Sequence, residues 1–447
     1  VDIRSFQEKL FARGQELGVH KLEIYYQQGR STSVRVVKGE IDAYTIKESG
    51  GLSLRLEHNG QMGYAYTEKL DEDSIDFLIE EARQNAGIVE SKELEELFAG
   101  SESYVSLSTY SEALSNVAPE KLIEAALAME KEALQADPRI TMVHTSSVSN
   151  SESEVFIANN LGLDCAAKYN QAVAGIYVIA EEGGEKTTGG WYEYTLEDFD
   201  QVDYLKAARE AVKEAVSKLG ADTIESSNYP VIFRQDAAST MLEIFTNIFS
   251  AEAVDKDFSR LKGKIGEQVA ASIVTIVDDP HMANVPARCT FDAEGSATKR
   301  VEIIKEGQLL TFLHNRKTAQ KFGVESTGHA TKGSYRAKIG ISPQNLFITA
   351  GATSLEDMIG SMDKGLMITD LQGTHAGANA VSGEFSLSCN GFLIENGAIV
   401  RPVNQITVSG NFFNLLQDVE VVGNDLRFLD SCTSPSLKVK SLTISGA

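Results

Sequence analysis

Hydrophobic positions in the first half of the chain run through the same order twice. Apolar residues at helical spacing predict a helix near Phe6 to Leu17. Strand-like segments follow at Leu22 to Tyr26 and Ser33 to Val37, then a turn at Lys38-Gly39-Glu40 and a strand at Gly51 to Leu56. Asn59-Gly60 is a strong hairpin signal, because both central residues of that turn need positive φ. Gly63 to Tyr66 closes the sheet, and an amphipathic helix follows near Ser74 to Asn85. The second round starts with a helix near Pro119 to Ala136, with proline at the helix start. Strands at Ile140 to His144 and Glu154 to Ala158 lead to a turn at Asn159-Asn160-Leu161-Gly162. Gly175 to Ile179 echoes Gly51 to Leu56, Gly183-Gly184 echoes Asn59-Gly60, and Gly190 to Tyr194 echoes Gly63 to Tyr66. A helix near Tyr204 to Leu219 completes the round. The pattern predicts an internal duplication: two helix–sheet–helix units in one α+β domain over residues 1–225.

Asn228-Tyr229-Pro230 marks a change of pattern, and residues 226–447 read as a β-rich domain with one long helix near its start. Ala237, Met241, Leu242, Phe245, Ile248 and Phe249 define that helix. Strand-like segments follow at Ser272 to Val277, Arg300 to Ile304, Leu309 to Leu313, Asn345 to Thr349 and Gly365 to Thr369. More come at Glu384 to Ser388, Ala398 to Arg401, Gln405 to Val408 and Leu437 to Ile444. Glu306-Gly307-Gln308 and Glu395-Asn396-Gly397 are hairpin turns. The fold class is α+β.

Composition narrows the function. The 447 residues carry 41 basic and 64 acidic side chains, a net charge of −23. That balance repels phosphate backbones and anionic lipid, so neither direct nucleic-acid binding nor membrane association is expected. Four cysteines (Cys165, Cys289, Cys389, Cys432) form no C-x-x-C pair, which excludes a zinc ribbon and points to a reducing compartment. No apolar run approaches membrane-spanning length, and Val1-Asp2-Ile3-Arg4 lacks the basic-then-apolar signal pattern. A cytoplasmic location is the expectation.

No G-x-S-x-G elbow, Walker-A loop, G-x-G-x-x-G or H-E-x-x-H is present. The 7 histidines are scattered, so any histidine metal cluster has to be assembled by the fold. His375 lies in Gly373-Thr374-His375-Ala376-Gly377-Ala378-Asn379, where small residues let a ligand's backbone approach. His375, Gly377 and Asn379 are therefore candidate substrate contacts. Asp278-Asp279-Pro280 and the pair Asp292 and Glu294 offer paired acids, but both read first as turn chemistry. Cys389 and Cys432 read as buried free thiols.

A set of ordered motifs adds to this. Gly263 to Val269, Thr275 to Pro280, Phe291-Asp292-Ala293-Glu294-Gly295 and Ser326-Thr327-Gly328-His329-Ala330 come first. Gly383-Glu384-Phe385-Ser386, Glu395-Asn396-Gly397, Pro402 and Ile406 to Asn411 follow, with Gly51 to Leu56 and Gly63-Tyr64 in the first half. Their order and spacing resemble the TldD/TldE (PmbA) family of intracellular metallopeptidase subunits over nearly the whole chain. The resemblance implies a two-domain chain. TldD-type members carry an H-E-x-x-x-H helix and a later cysteine as third zinc ligand, and pair with TldE-type subunits to process peptides and unfolded segments. Counted back from Gly266-Glu267, that motif falls on Leu242 to Asn247, with Leu242 and Asn247 at the histidine positions and Glu243 at the acid. Cys432 sits in Ser431-Cys432-Thr433, outside the family's Cys-Gly-Lys context. The resemblance thus implies a TldE/PmbA-type subunit without metal ligands or a catalytic residue of its own, its zinc held by a TldD-type partner in a heterodimer. Glycine-flanked strands in the second domain suit an extended peptide added as a strand. The alternatives are a homodimeric peptide- or protein-binding protein with no protease role, and an independent hydrolase using His375, Glu243 or the Asp278/Asp279 pair. Family naming also links some members to DNA gyrase; the acidic balance gives that no support as a direct DNA contact.

Overall fold

The computed structural model describes residues 2–88 and 96–446. The first unit runs α1 (Ile3–Glu16), β1 (Leu22–Val37), β2 (Glu40–His58), β3 (Gln61–Thr67) and α2 (Glu72–Gly87). After the short α3 (Glu112–Ser115), the order repeats as α4 (Pro119–Ala136), β4 (Ile140–Asn159), β5 (Asp164–Glu182), β6 (Glu185–Thr195) and α5 (Tyr204–Ser217). The strands form one antiparallel six-stranded sheet in the order β3-β2-β1-β4-β5-β6. Two hairpin units thus meet back to back along β1 and β4, as a duplicated sequence folds when its halves share a sheet.

Strands are longer than the hydrophobic pattern suggests. Leu22 to Tyr26 and Ser33 to Val37 are the two ends of one strand, joined through the polar run Gln27 to Thr32. That run stays in register with both neighbours: Arg30 faces Glu48 on one side and Glu152 on the other. Backbone pairing on two sides holds a polar stretch extended without apolar side chains. β4 spans its polar centre in the same way.

All four long helices of this unit cover one face of the sheet. Leu22, Ile24 and Tyr26 of β1 pack with Phe6 and Leu10 of α1 and Leu78 and Ile79 of α2. Val34 and Val36, on the same face by the two-residue period, pack with α4 and α5 through Leu122, Met129, Ala211 and Val212. The other face carries Tyr25, Ile157 and Cys165, which pack against Phe291 of the second unit.

The duplication also repeats a packing device. A Cβ on Gly63 of β3 would lie 1.8 Å from the Ala82 carbonyl oxygen and 2.7 Å from the Ala86 nitrogen of α2. A Cβ on Gly189 of β6 would lie 2.1 Å from the Ala211 carbonyl oxygen and 2.4 Å from the Ala215 nitrogen of α5. In each half two alanines four residues apart let the helix backbone rest on a glycine of the outermost strand. Gly189, one residue before the expected echo, makes this contact; Gly190 faces Tyr177 on the opposite side.

The second unit begins with β7 (Ser227–Phe233) and α6 (Gln235–Phe245). The long helix expected here ends at Phe245 and tightens into a 3-10 turn over Thr246–Phe249, which keeps Ile248 and Phe249 buried. Short strands follow: β8 (Ile276–Asp278), β9 (Val301–Lys305), β10 (Gln308–Leu309), β11 (Ala330–Thr331), β12 (Gly340–Ile341) and β13 (Leu346–Ile348). Long ones come next: β14 (Lys364–Gln372), β15 (Glu384–Glu395) and β16 (Ala398–Asn411). β17 (Val419–Val422), β18 (Cys432–Thr433) and β19 (Leu437–Ser445) end the chain of elements. The segments expected at Ala398 to Arg401 and Gln405 to Val408 are one strand, β16, whose register against β15 shifts beyond Pro402, near the positive-φ residue Gln405. β16, β15, β14, β7 and β19 close into a barrel through the β16–β19 pairing, with β17 appended to β19. A five-stranded sheet, β10-β9-β8-β13-β18, lies beside it. Barrel, sheet and α6 share one core, in which Phe245 stacks on Phe412 at 4.4 Å.

Gly63→Ala and Gly189→Ala each force a helix off its strand. Overpacking of this kind costs about 1–3 kcal/mol. Thermal unfolding is expected to show each variant melting several degrees lower, with the double variant lower still. An unchanged melting temperature would show that α2 and α5 do not rest on these glycines.

Candidate functional site

A cavity of about 620 Å³ is a groove between the two units. One wall is β6, an edge strand of the six-stranded sheet with β5 as its partner. The facing wall is α6, and β14, β15, β16 and the loop before β18 form the floor and end. α6 is held where a sequence reading alone does not place it. Its first N–H, on Gln235, donates to the Ser436 hydroxyl at 3.0 Å, and that hydroxyl donates to Asp425 at 2.6 Å. Ser239 Oγ accepts from the Ser434 N–H at 2.9 Å. The buried stripe Ala237, Ala238, Met241, Leu242 and Phe245 faces the core, leaving Asp236, Thr240 and Glu243 along the groove.

Two arginines fasten the walls. Arg234 donates to Glu214 Oε1 of α5 at 2.6 Å and to Asp236 Oδ2 of α6 at 2.5 Å. Arg427 stacks over the Trp191 ring at 4.1 Å and donates to the Tyr192 carbonyl at 2.9 Å and to Glu193 at 3.1 Å. Both carboxylate partners of Arg234 raise its pKa against the opposing effect of burial, so it stays charged.

A second cavity, about 400 Å³, lies where the helix-free face of the sheet meets the loop 286–293, strand β11 and Lys332. Beside it runs a buried polar seam. Arg55 and Glu23 are paired at 2.6 Å with side chains only 7% and 4% exposed. Lys332 packs over the Tyr25 ring at 4.6 Å and donates to the Ser53 hydroxyl at 2.6 Å. Burial, reinforced by the Arg55 charge, lowers its pKa to about 8. Asp292 folds back on its own loop, accepting from the N–H groups of Glu294 and Ser296 at 2.9 Å and of Ala330 at 3.0 Å. Burial and the Glu294 charge push its carboxyl well above the usual carboxylate range.

Family models match in three consecutive blocks. Residues 22–86 match PmbA/TldA metallopeptidase domain 1, residues 112–219 the central domain, and residues 226–446 the C-terminal domain. The chain belongs to the PmbA/TldD metallopeptidase family. It is 28% identical over 440 residues to metalloprotease PmbA of Escherichia coli O157:H7, covering 95% of this chain and 92% of that protein. It is 25% identical over 454 residues to a metalloprotease TldD homolog of Haemophilus influenzae, covering 95% and 92%. A crystal structure from Thermotoga maritima MSB8, of a protein described as a candidate modulator of a DNA gyrase, superimposes with a TM-score of 0.92. It is 34% identical and covers 99% of this chain and 100% of that one. TldE from Thermococcus kodakarensis shares the fold, with a TM-score of 0.89 at 24% identity over 99% of this chain and 100% of that chain.

In this PmbA/TldD chain the three positions singled out by the sequence resemblance have different surroundings. Leu242 is buried in the core, Glu243 lines the groove, and Asn247 is exposed in the turn past the helix. Cys432 also lines the groove, its thiol raised by burial and by the charges of Glu243, Asp278 and Asp430. The loop candidates lie elsewhere. His375 is exposed on the helical turn Thr374–Gly377. A Cβ on Gly377 would meet the Ser386 carbonyl oxygen at 2.4 Å, and Asn379 Oδ1 accepts from the N–H groups of Val381 and Ser382 at 3.0 Å. Asp278 and Asp279 do not act together. Asp278 Oδ2 accepts from the N–H groups of Gln344 and Asn345, while Asp279 Oδ1 accepts from the His281 N–H. Asp278 Oδ1 instead faces His329 Nε2 at 3.1 Å, off the hydrogen-bond line, with both side chains at most 1% exposed. Arg234, Arg427 and this Asp278–His329 pair escaped the sequence reading. Apart from Asp236 beside Arg234, their partners are distant in sequence, and the one local signal was an arginine opening the long helix.

Lys332 supplies a pH test. Its folded pKa lies below the ordinary 10.5, so between about 8 and 10.5 the folded chain binds fewer protons than the unfolded one. Its contribution to stability therefore rises with pH across that window. Lys332→Met removes this rise, so wild type is expected to gain stability relative to the variant between pH 8 and 10.5 in parallel urea titrations. A constant difference would place the ammonium in water.

Proposed function

We propose that this chain is a subunit of a TldD/TldE-type zinc metalloprotease that carries no catalytic zinc itself and holds peptide or unfolded substrate in extended form. The observation that carries this reading is the groove, in which the open edge of β6 faces α6. The carbonyls of Thr188 and Tyr192 accept from Lys218 Nζ and Arg427 Nη2, so they point away from β5. Gly190 stands between them in the same two-residue phase and lines the groove. Its main chain offers an edge to an extended peptide, and main-chain pairing of this kind accepts many sequences.

The donors at the motif positions do not suit zinc. Leucine has no donor atom, and zinc in proteins takes thiolate, imidazole or carboxylate ligands rather than an asparagine amide. Only Glu243 and the Cys432 thiol remain, and burial keeps that thiol protonated. The metal and the chemistry it supplies, polarising the scissile carbonyl and activating water, belong in this reading to the TldD-type partner. Four unpaired cysteines and the net charge of −23 support a cytoplasmic protein that does not touch nucleic acid directly. Among the described residues no helix is long and apolar enough to cross a membrane.

The test is reconstitution with a TldD-type chain and an unfolded peptide. Co-purification, with cleavage that needs both chains and stops on zinc chelation, is the expected result. Cleavage by this chain alone, abolished by a chelator, would overturn the proposal. A stable homodimer that ignores the TldD-type chain would point instead to a homodimeric binding protein.

A further inference from the structure

Two Gly-x-Tyr triplets, Gly175-Ile176-Tyr177 on β5 and Gly190-Trp191-Tyr192 on β6, run past each other in the groove wall. The register sets Tyr177 opposite Gly190 and Gly175 opposite Tyr192, so all four lie on one face of the sheet. That is the helix-free face, since Gly189, the preceding residue of β6, points into α5. A glycine inside a strand weakens it and often marks a place where another backbone comes close. At Gly190 a neighbour's ring fills the space of the missing side chain. A Cβ there would lie 2.7 Å from Tyr177 Cδ2 and 3.2 Å from Cε2, so the ring leans across the glycine towards the open edge. Its hydroxyl donates to Thr188 Oγ1 at 2.9 Å, and His144 meets it edge to face with centroids 6.1 Å apart. Held at these two points, the Tyr177 side still stands 40% exposed and Tyr192 37% exposed, both lining the groove.

The main chain of β6 limits where a peptide can pair. Lys218 takes the Thr188 carbonyl at 3.2 Å, and Arg427 takes the Tyr192 carbonyl at 2.9 Å. The N–H and carbonyl of Gly190 lie between them in the same outward phase. A pairing peptide is therefore centred on Gly190, with one residue exchanging both hydrogen bonds with it. Directly opposed residues share a face, so that residue's side chain stands on the Tyr177 side of the sheet. Neighbouring strands are about 4.8 Å apart, so the side chain lands against the ring that leans over the glycine. Resting on the peptide-holding reading above, we infer that Tyr177 and Gly190 form a subsite for an aromatic or bulky apolar side chain, carried by the peptide residue paired with Gly190. Main-chain pairing is indifferent to sequence, so this subsite supplies the discrimination. The Tyr177 hydroxyl is committed to Thr188, so the ring offers hydrocarbon contact rather than a hydrogen bond. Ring-on-ring contact adds to the area buried, which favours an aromatic over an aliphatic side chain.

The probes are three fluorescent decapeptides rich in serine and threonine, identical except for one central phenylalanine, leucine or alanine. Binding to the full chain is measured by anisotropy. The phenylalanine peptide is expected to bind about fivefold more tightly than the alanine peptide, with leucine between them. Tyr177→Ala should bring the phenylalanine-to-alanine ratio towards one, while Tyr177→Phe, which keeps the ring, should retain it. Gly190→Pro removes the outward N–H on an edge strand, where proline is tolerated, and should weaken all three peptides. Circular dichroism and melting confirm that each variant is folded. Equal binding of the three peptides, or a phenylalanine preference that survives Tyr177→Ala, would overturn the subsite and leave the peptide-holding reading standing. No binding of any peptide, or binding unchanged by Gly190→Pro, would overturn both.

Discussion

The Arg234 guanidinium is the tie on which the groove depends. It stands between the two units, with side chains of Glu214 on α5 and Asp236 on α6 on either side. Burial alone would disfavour its charge; two carboxylates at hydrogen-bond distance offset that. Removing one partner from a fully buried pair costs about 3–5 kcal/mol, and Arg234 retains 18% side-chain exposure, so its loss falls below that range. The tie matters more for geometry than for stability. It fixes the angle between β6 and α6, and therefore the width of the space a peptide chain would occupy. Arg427 repeats the arrangement at the other end through Trp191 and Glu193.

Around this tie the two units are built by different means. The first is a duplicated sheet whose helices sit close because glycine meets alanine at Gly63 and Gly189. The second closes its strands into a barrel, and both units bury polar pairs as well as hydrocarbon. Asp278 and His329 are almost wholly buried, and Arg55 and Glu23 lie beneath the contact with the second unit. Buried pairs add little net stability over apolar replacements, but they penalise any docking that separates the partners. Their placement at and near the seam suits a protein whose groove requires one relative orientation of its units.

Much of the architecture was legible in the sequence because hairpin turns and hydrophobic period are local signals. Asn59-Gly60, Gly183-Gly184 and the helices at Pro119 and Tyr204 lie where the pattern puts them. The polar centres of β1 and β4 were not legible, since cross-strand pairing with partners more than 100 residues away holds them extended. The long helix looked continuous to Phe249 because the 3-10 turn after Phe245 keeps the same side chains inside. The acids of Asp278-Asp279-Pro280 and Asp292 read as turn formers, and Asp292 does cap its own loop. The burial of Asp278 against His329 had no local signature. The groove itself draws on residues from Tyr177 to Thr433, so no single stretch announces it.

In the proposed function the space between β6 and α6 holds the substrate chain while the metal chemistry is done by another subunit. Hydrogen–deuterium exchange on this chain, alone and with a TldD-type partner and an unfolded peptide, addresses it directly. Peptide is expected to slow exchange along β6 (Glu185–Thr195) and α6 (Gln235–Phe245) beyond the effect of the partner alone. Peptide cleavage with no added protection at either element, or protection confined to the Thr374–Gly377 turn, would contradict it.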